Sequence, residues 1–266
     1  MKMFNGKAIY NPSGKAQEYS YWACNFYVGC SNGCTYCYCK KGMLVGTMGQ
    51  NTPSLKKCFK NEEHAIELFT SELETNKLDL QKHGLFFSFT TDPMLKETKD
   101  LTFKAVGICL KNEVPVKILT KMTYWVDMYL WAIESSIYYK KDLISFGFTI
   151  TGHDELEPKA STNTERVCAM IDLSKSGFKT FASFEPIINL ESTLKYIKLT
   201  SAYCDLFKIG LESGRKYDEI ELVKFMCKVH EIIPSRPIYW KESFLKQAKI
   251  DRFELPGNCV NRDFLI

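Results

Sequence analysis

Gly29-Cys30-Ser31-Asn32-Gly33-Cys34-Thr35-Tyr36-Cys37-Tyr38-Cys39 puts three thiols, those of Cys30, Cys34 and Cys37, on one short loop. Gly29 and Gly33 let the backbone turn tightly enough to wrap three thiolates around three corners of a 4Fe–4S cluster. The fourth iron is then left without a protein ligand. An open coordination position separates a catalytic metal site from a structural one, so the spacing predicts chemistry. The alternative is a structural zinc knot with Cys24 or Cys39 as fourth ligand, or a non-catalytic module of that kind that binds nucleic acid. Zinc knots usually show two ligand pairs separated by a longer stretch, and no matching second pair follows here. Tyr36 and Tyr38 flank Cys37, and aromatic rings there shield a cluster and offer a surface to an adenine ring.

Outward from the loop, strand and helix patterns alternate. Residues 21–28 read as a first strand running into the loop. Further strands are predicted over 85–90, 115–120, 143–149, 178–184 and 206–209, with a short late one over 238–241. Helical periodicity covers 61–77, with Ala65, Ile66, Phe69 and Leu73 on one face, then 100–112, 124–135, 190–199 and 218–232. Thr162 followed by Glu165 is a capping-box pattern opening a helix to Lys175, which Gly177 ends. Such alternation predicts an α/β fold with a parallel sheet and crossover helices. Six or seven units fit an incomplete (β/α)6-type barrel.

The chain has 266 residues, 45% apolar and 14% aromatic, enough for one such barrel over 1–266 with a large core. Residues 1–19 read as a lead-in and 247–266 as an irregular tail. No apolar run reaches membrane-spanning length and no signal-peptide core is visible, so a soluble, cytoplasmic protein with no membrane partner is expected. Of the eleven cysteines, those outside the loop show no disulfide spacing. Cys58, Cys109, Cys168, Cys204 and Cys227 fall mostly in apolar or helical stretches, where free cysteine packs as a small hydrophobe. The net charge of +4 says little, but no acidic side chain occurs from Tyr19 through Asn61 while Lys40, Lys41, Lys56, Lys57 and Lys60 do. That stretch suits a solvated loop or a phosphate-bearing partner such as nucleic acid.

In a barrel of this kind the site lies at the carboxyl ends of the strands. The polar residues there are Thr90, Thr91 and Asp92, then Thr120 and Lys121, Thr149 and Thr151, Ser183 and Glu185, Glu212, and Lys241 with Glu242. Each could be a cap or turn residue. Together, hydroxyls and carboxylates suit a ribose and an amine, and Lys121 suits a carboxylate.

The Cys-x-x-x-Cys-x-x-Cys pattern with an aromatic before its last cysteine resembles the signature of the radical S-adenosylmethionine superfamily. Both tyrosines make the segment most similar to the spore photoproduct lyase and DNA repair photolyase branch. Thr90-Thr91-Asp92, Leu119-Thr120-Lys121 and Phe148-Thr149-Ile150-Thr151 resemble that lyase's Thr-Ser-Asp, Val-Thr-Lys and Phe-Ser-Ile-Asn segments. The resemblance covers about residues 20–190. It implies a 4Fe–4S cluster on Cys30, Cys34 and Cys37, and S-adenosylmethionine as second cofactor. It also implies a reductant such as flavodoxin or ferredoxin, and lyase- or oxidoreductase-type chemistry in which a 5′-deoxyadenosyl radical abstracts a hydrogen atom. Tyr38, Thr91, Lys121 and Thr149 would contact the cofactor with Tyr36 beside them, and Thr90, Asp92, Ser183 and Glu185 complete the expected binding set. Phe89 stands where the lyase carries a hydrogen-donating cysteine, so Cys39, with Tyr38, is the candidate for that catalytic role. An arginine-rich C-terminal DNA-binding hairpin is also missing. A nucleic-acid or nucleotide substrate is the leading expectation; a peptide or small metabolite is the alternative.

Overall fold

Strand and helix alternate as the apolar pattern dictates in a computed structural model that describes residues 3–134, 140–262 and 264. The strands are β1 (Ile9–Tyr10), β2 (Ala23–Cys24), β3 (Tyr27–Val28), β4 (Ser54–Leu55), β5 (Leu85–Phe87), β6 (Val116–Thr120), β7 (Ile144–Thr149), β8 (Lys179–Ile187), β9 (Leu206–Leu211) and β10 (Ile238–Trp240). The helices are α1 (Val45–Met48), α2 (Glu62–Thr75), α3 (Lys77–His83), α4 (Lys99–Lys111), α5 (Val126–Glu134), α6 (Asn163–Lys175), α7 (Leu190–Thr200), α8 (Glu219–Ile232) and α9 (Glu242–Ala248). Ser135, where the sequence ends the third helical pattern, lies outside the described residues, as do 1–2, 263 and 265–266 of the predicted lead-in and tail.

Eight strands make one sheet in the order β1-β2-β5-β6-β7-β8-β9-β10. Within this sheet only β1 runs antiparallel to its neighbour and every other pairing is parallel, while β3 and β4 form a separate antiparallel pair. Parallel neighbours need long crossovers, and the helices supply them. Among the described residues β1 and β10 remain edges, so the chain forms the incomplete parallel (β/α) barrel that the alternation predicts. No helix among these residues is long and apolar enough to cross a membrane.

The register builds the lumen in layers, as in closed barrels. Leu119, Gly147, Phe181 and Leu206 lie side by side, and the row nearer the carboxyl ends is Thr149, Ser183, Lys208 and Tyr239. Gly147 is required there, because a Cβ would land on the Phe181 ring. Outside the sheet, Ala65, Phe69 and Leu73 of α2 are buried on one face; burying a side chain such as Phe69 contributes about 1.5–3 kcal/mol. Thr162 and Glu165 form the expected capping box on α6.

Three sequence expectations change. The predicted strand over 21–28 divides into β2 and β3 because Asn25 turns inward. It is 4% exposed, and its amide accepts from the Phe89 N–H at 2.8 Å and donates to the Tyr10 hydroxyl at 2.6 Å. The strand over 85–90 stops at Phe87, since Thr90 donates to the Tyr27 carbonyl at 2.5 Å and Ser88 to that of Thr91 at 2.7 Å. The helix over 61–77 breaks at Asn76, whose side chain donates back to the Glu72 carbonyl at 2.8 Å. Of the other cysteines, Cys109 and Cys204 are buried as hydrophobes, Cys58 is half-buried, and Cys168 and Cys227 are exposed.

Candidate functional site

β3 delivers the chain to Gly29, where backbone and packing leave no alternative to glycine. Its φ is +82°, and a Cβ would be driven into the Thr52 carbonyl oxygen. The neighbouring Cys30 N–H donates to the Gln50 carbonyl at 3.0 Å. Gly33, with φ +74°, turns the loop a second time, and its absent Cβ lets Pro158 pack close. The loop after β7 holds the other side: Thr35 N–H donates to the Leu156 carbonyl at 3.0 Å, and Lys159 N–H to that of Asn32 at 3.2 Å. Left-handed backbone costs a residue with a Cβ about 1–2 kcal/mol before any clash. Gly29→Ala is therefore expected to lower stability by at least about 2 kcal/mol and to reduce iron retention. A chemical-denaturation difference below about 0.5 kcal/mol would contradict this reading.

A cavity of about 130 Å³ opens at this loop and extends over the ends of β5, β6 and β7. Cys30, Cys34 and Cys37 line it together with Cys39, Tyr36, Thr90, Thr91, Asp92, Lys121 and Thr149. Asn32, Phe89, Leu119 and Gln50 are also among its walls. Thus most of the residues singled out in the sequence converge on one space. Tyr38, Ser183 and Glu185 are not among its lining. The Tyr38 ring is half exposed at the rim, and its hydroxyl donates to the Phe89 carbonyl. Ser183 and Glu185 belong to a separate polar cluster inside the barrel.

Asp92 has work of its own. Oδ1 accepts from Thr120 Oγ1 at 2.6 Å and from the Met94 N–H at 3.0 Å. Oδ2 accepts from Asn32 Nδ2 at 2.9 Å and from the Lys121 N–H at 2.8 Å. A carboxylate has about four acceptor positions, so Asp92 is fully committed to tying the cysteine loop to the end of β6. It positions the site rather than offering lone pairs to a ligand.

Other groups are left waiting. Among the described residues, Asn32 Oδ1 and Thr91 Oγ1 are buried polar atoms without a hydrogen-bond partner, and both residues line the cavity. An unpaired buried polar atom is costly, so these two suit a bound polar group. Among the described residues Lys121 Nζ makes no hydrogen bond or ion pair and stands 5.7 Å from the centre of the Tyr36 ring. Burial pulls the Lys121 ammonium down, but the Cys34 thiol and the Glu157 carboxylate outweigh it, and its pKa lies above the ordinary lysine value.

The thiols are set apart from one another. Burial, then Asp92, pushes Cys30 up to about 11, and burial also raises Cys34. Cys37 falls to about 6 because the Cys39 thiol is hydrogen-bonded to it, which drives Cys39 upward. Metal binding displaces such protons. Among the described residues no three His, Cys, Asp or Glu side chains gather around a point that one metal ion could fill. Cys30, Cys34 and Cys37 nonetheless line one cavity together, and thiolates of one short loop are the ligands an iron–sulfur cluster takes.

Two residues that sequence reading passed over support the aromatic wall. Glu157 accepts from the Tyr36 hydroxyl, and its Oε2 lies 2.7 Å from Arg166 Nη1. Both charged side chains are fully buried. Arg166 also donates to the Thr149 carbonyl at 2.8 Å, while among the described residues its Nε and Nη2 have no partner. Burial and then Glu157 hold the Tyr36 phenol protonated, well above its usual pKa. A signal did exist: Arg166 lies four residues before Met170 and seven before Leu173, on the buried stripe of α6.

No protein-family profile matches the chain. An uncharacterized protein of Methanocaldococcus jannaschii is 24% identical over 261 residues, 89% of each chain. By structure the chain is similar to Streptococcus suis SuiB bound to S-adenosylmethionine, with 12% identity and a TM-score of 0.56. That match covers 82% of this chain and 49% of SuiB, so the chain spans about half of SuiB's length. The likeness shows a shared fold: this chain is an incomplete parallel (β/α) barrel of the kind found in a protein crystallised with S-adenosylmethionine.

Proposed function

We propose that this chain is a radical S-adenosylmethionine enzyme of the spore photoproduct lyase-like type, acting on a nucleotide or nucleic acid. The observation that carries the reading is the convergence of three loop thiols, two orphaned polar atoms and an unpaired lysine on one cavity. Cys30, Cys34 and Cys37 would hold a 4Fe–4S cluster. Lys121 would meet the carboxylate of S-adenosylmethionine; Thr91 and Asn32 would bond its polar groups. When bound, cluster and cofactor together supply one-electron cleavage of a C–S bond and abstraction of a substrate hydrogen atom.

The chain's own part is placement and exclusion of water. Phe89 and Leu119 wall the cavity with apolar surface, and Glu157 fixes the Tyr36 ring beside the last cluster thiol. Cys39 lines the same space and is the thiol placed to return a hydrogen atom to substrate. Tyr38 stands at the rim as the second candidate. A flavodoxin- or ferredoxin-type carrier supplies the electron. The acid-free stretch around the loop supports a phosphate-bearing substrate, with Lys57 and Lys60 exposed. Other lysines there are engaged: Lys40 donates to Asn51 Oδ1 at 2.7 Å, and Lys41 lies 3.9 Å from Glu212.

Anaerobic reconstitution followed by reduction in the presence of S-adenosylmethionine is expected to release 5′-deoxyadenosine. Deuterium from a labelled oligonucleotide is expected to appear in that product. A protein that holds zinc and leaves the cofactor intact would contradict the catalytic reading. Label transfer from a peptide or metabolite, and none from nucleic acid, would move the substrate class.

A further inference from the structure

A second polar cluster lies one layer of side chains beyond the cavity, where β8 and β10 end. The Tyr19 hydroxyl donates to Glu185 Oε2 at 2.5 Å and lies 2.6 Å from Ser183 Oγ. Lys241 Nζ lies 2.8 Å from Glu185 Oε1 and 2.7 Å from Oε2. A carboxylate offers about four acceptor positions, and among the described residues these contacts occupy three. The Lys241 side chain is 2% exposed and that of Glu185 is 19% exposed. The unused acceptor position therefore sits on the charged group of the pair that reaches solvent.

The cluster is closed from the side. Residues 14–19, which join β1 to β2, cross to β9 and β10 and bridge the free edges of the sheet. Lys208 Nζ donates to the Tyr19 carbonyl at 3.0 Å, and Glu18 Oε2 accepts from the Tyr239 hydroxyl at 3.2 Å and the Glu242 N–H at 2.9 Å. Glu185 lies two positions beyond Ser183 on β8, toward the carboxyl end of the strand, the end of the sheet over which the cavity lies. Phe89 lines that cavity, stacks on Phe86 at 4.6 Å and meets Tyr19 edge-on at 6.1 Å. Thr149 lines it too and is the register partner of Ser183.

The geometry points to Glu185 as a substrate anchor, a carboxylate that receives a single ring N–H of a nucleobase held at the barrel mouth. This rests on the nucleotide reading above. Lys241 and Tyr19 are positioning residues that hold the carboxylate in place. One vacant acceptor position matches one donor, and a base edge without an N–H would face an unpaired charge, which buried sites reject strongly.

The test compares binding of uridine 5′-monophosphate with that of its N3-methyl derivative, whose ring N–H is blocked. Isothermal titration calorimetry uses cluster-loaded protein with S-adenosylmethionine present, as wild type and as Glu185→Gln. In wild type, N-methylation is expected to weaken binding about tenfold to a hundredfold, the loss of one hydrogen bond to a charged group. Glu185→Gln is expected to weaken the parent nucleotide similarly, to bind both ligands alike, and to retain wild-type affinity for S-adenosylmethionine. Equal wild-type binding of the two ligands overturns the anchor while the nucleotide reading stands. A parallel loss of S-adenosylmethionine affinity in the variant overturns it by making Glu185 a cofactor contact. If neither nucleotide binds wild type although S-adenosylmethionine does, the nucleotide reading fails and the anchor with it.

Discussion

Cys30→Ala, Cys34→Ala and Cys37→Ala are each expected to abolish the iron–sulfur centre, while Cys39→Ala is expected to retain it. The four thiols share one cavity, so burial alone does not separate them. The difference is coordination. Three corners of a cubane need three thiolates, and a loop that loses one leaves two irons open. Each ligand variant should fall from about four irons per chain to well under one after anaerobic reconstitution, and lose the brown absorbance. Cys39→Ala should hold its iron but lose the hydrogen-returning step, so that deoxyadenosine forms without intact product. Iron loss in Cys39→Ala equal to that in Cys37→Ala would make Cys39 a ligand and close the open corner.

Glu157→Ala is expected to cost about 3–5 kcal/mol, the range for removing one partner of a buried ion pair. Arg166 would keep only the Thr149 carbonyl as acceptor, since its Nε and Nη2 are already unpaired. The Tyr36 hydroxyl would lose its acceptor in the same step. Glu157→Gln should cost less than Glu157→Ala, because its single amide oxygen can still accept from Arg166 while its NH2 donates to the Tyr36 hydroxyl oxygen, with the Arg166 charge left uncompensated. Urea unfolding of both variants checks the order. A loss below about 1 kcal/mol for Glu157→Ala, the level of an exposed pair, would show that the pair contributes little to the site's rigidity.

The parts of this molecule legible from sequence are those set by local periodicity and by spacing. The alternation of apolar runs places the strands β5 to β10 within a few residues, because a buried parallel strand has to be apolar. The cysteine spacing brings its three thiols to one loop for the same local reason. What escaped depends on contacts distant in sequence. Asn25 interrupts an apolar run, but only its bond to the Phe89 N–H, across 64 residues, explains why the strand divides there. Asp92 stands at a strand end as a ligand would, yet its four hydrogen bonds to Asn32, Met94, Thr120 and Lys121 make it a brace. Glu157 follows β7 in a loop that also holds Asp154 and Glu155, and nothing local distinguishes the buried carboxylate from its exposed neighbours. Ser183 and Glu185 stand in the last half of β8, outside the cavity lining that the other polar strand-end residues share. Their partner Tyr19 comes from a segment that looked like a lead-in, so the cluster they form was invisible until the barrel brought the segment across its open side.

The central claim is that Cys30, Cys34 and Cys37 hold one cluster with an iron free to bind S-adenosylmethionine. Electron paramagnetic resonance of the reduced, reconstituted protein, recorded before and after adding S-adenosylmethionine, tests it directly. The account predicts a 4Fe–4S signal whose g-values shift when the cofactor is added. No iron–sulfur signal, or one that the cofactor leaves unchanged, would contradict it.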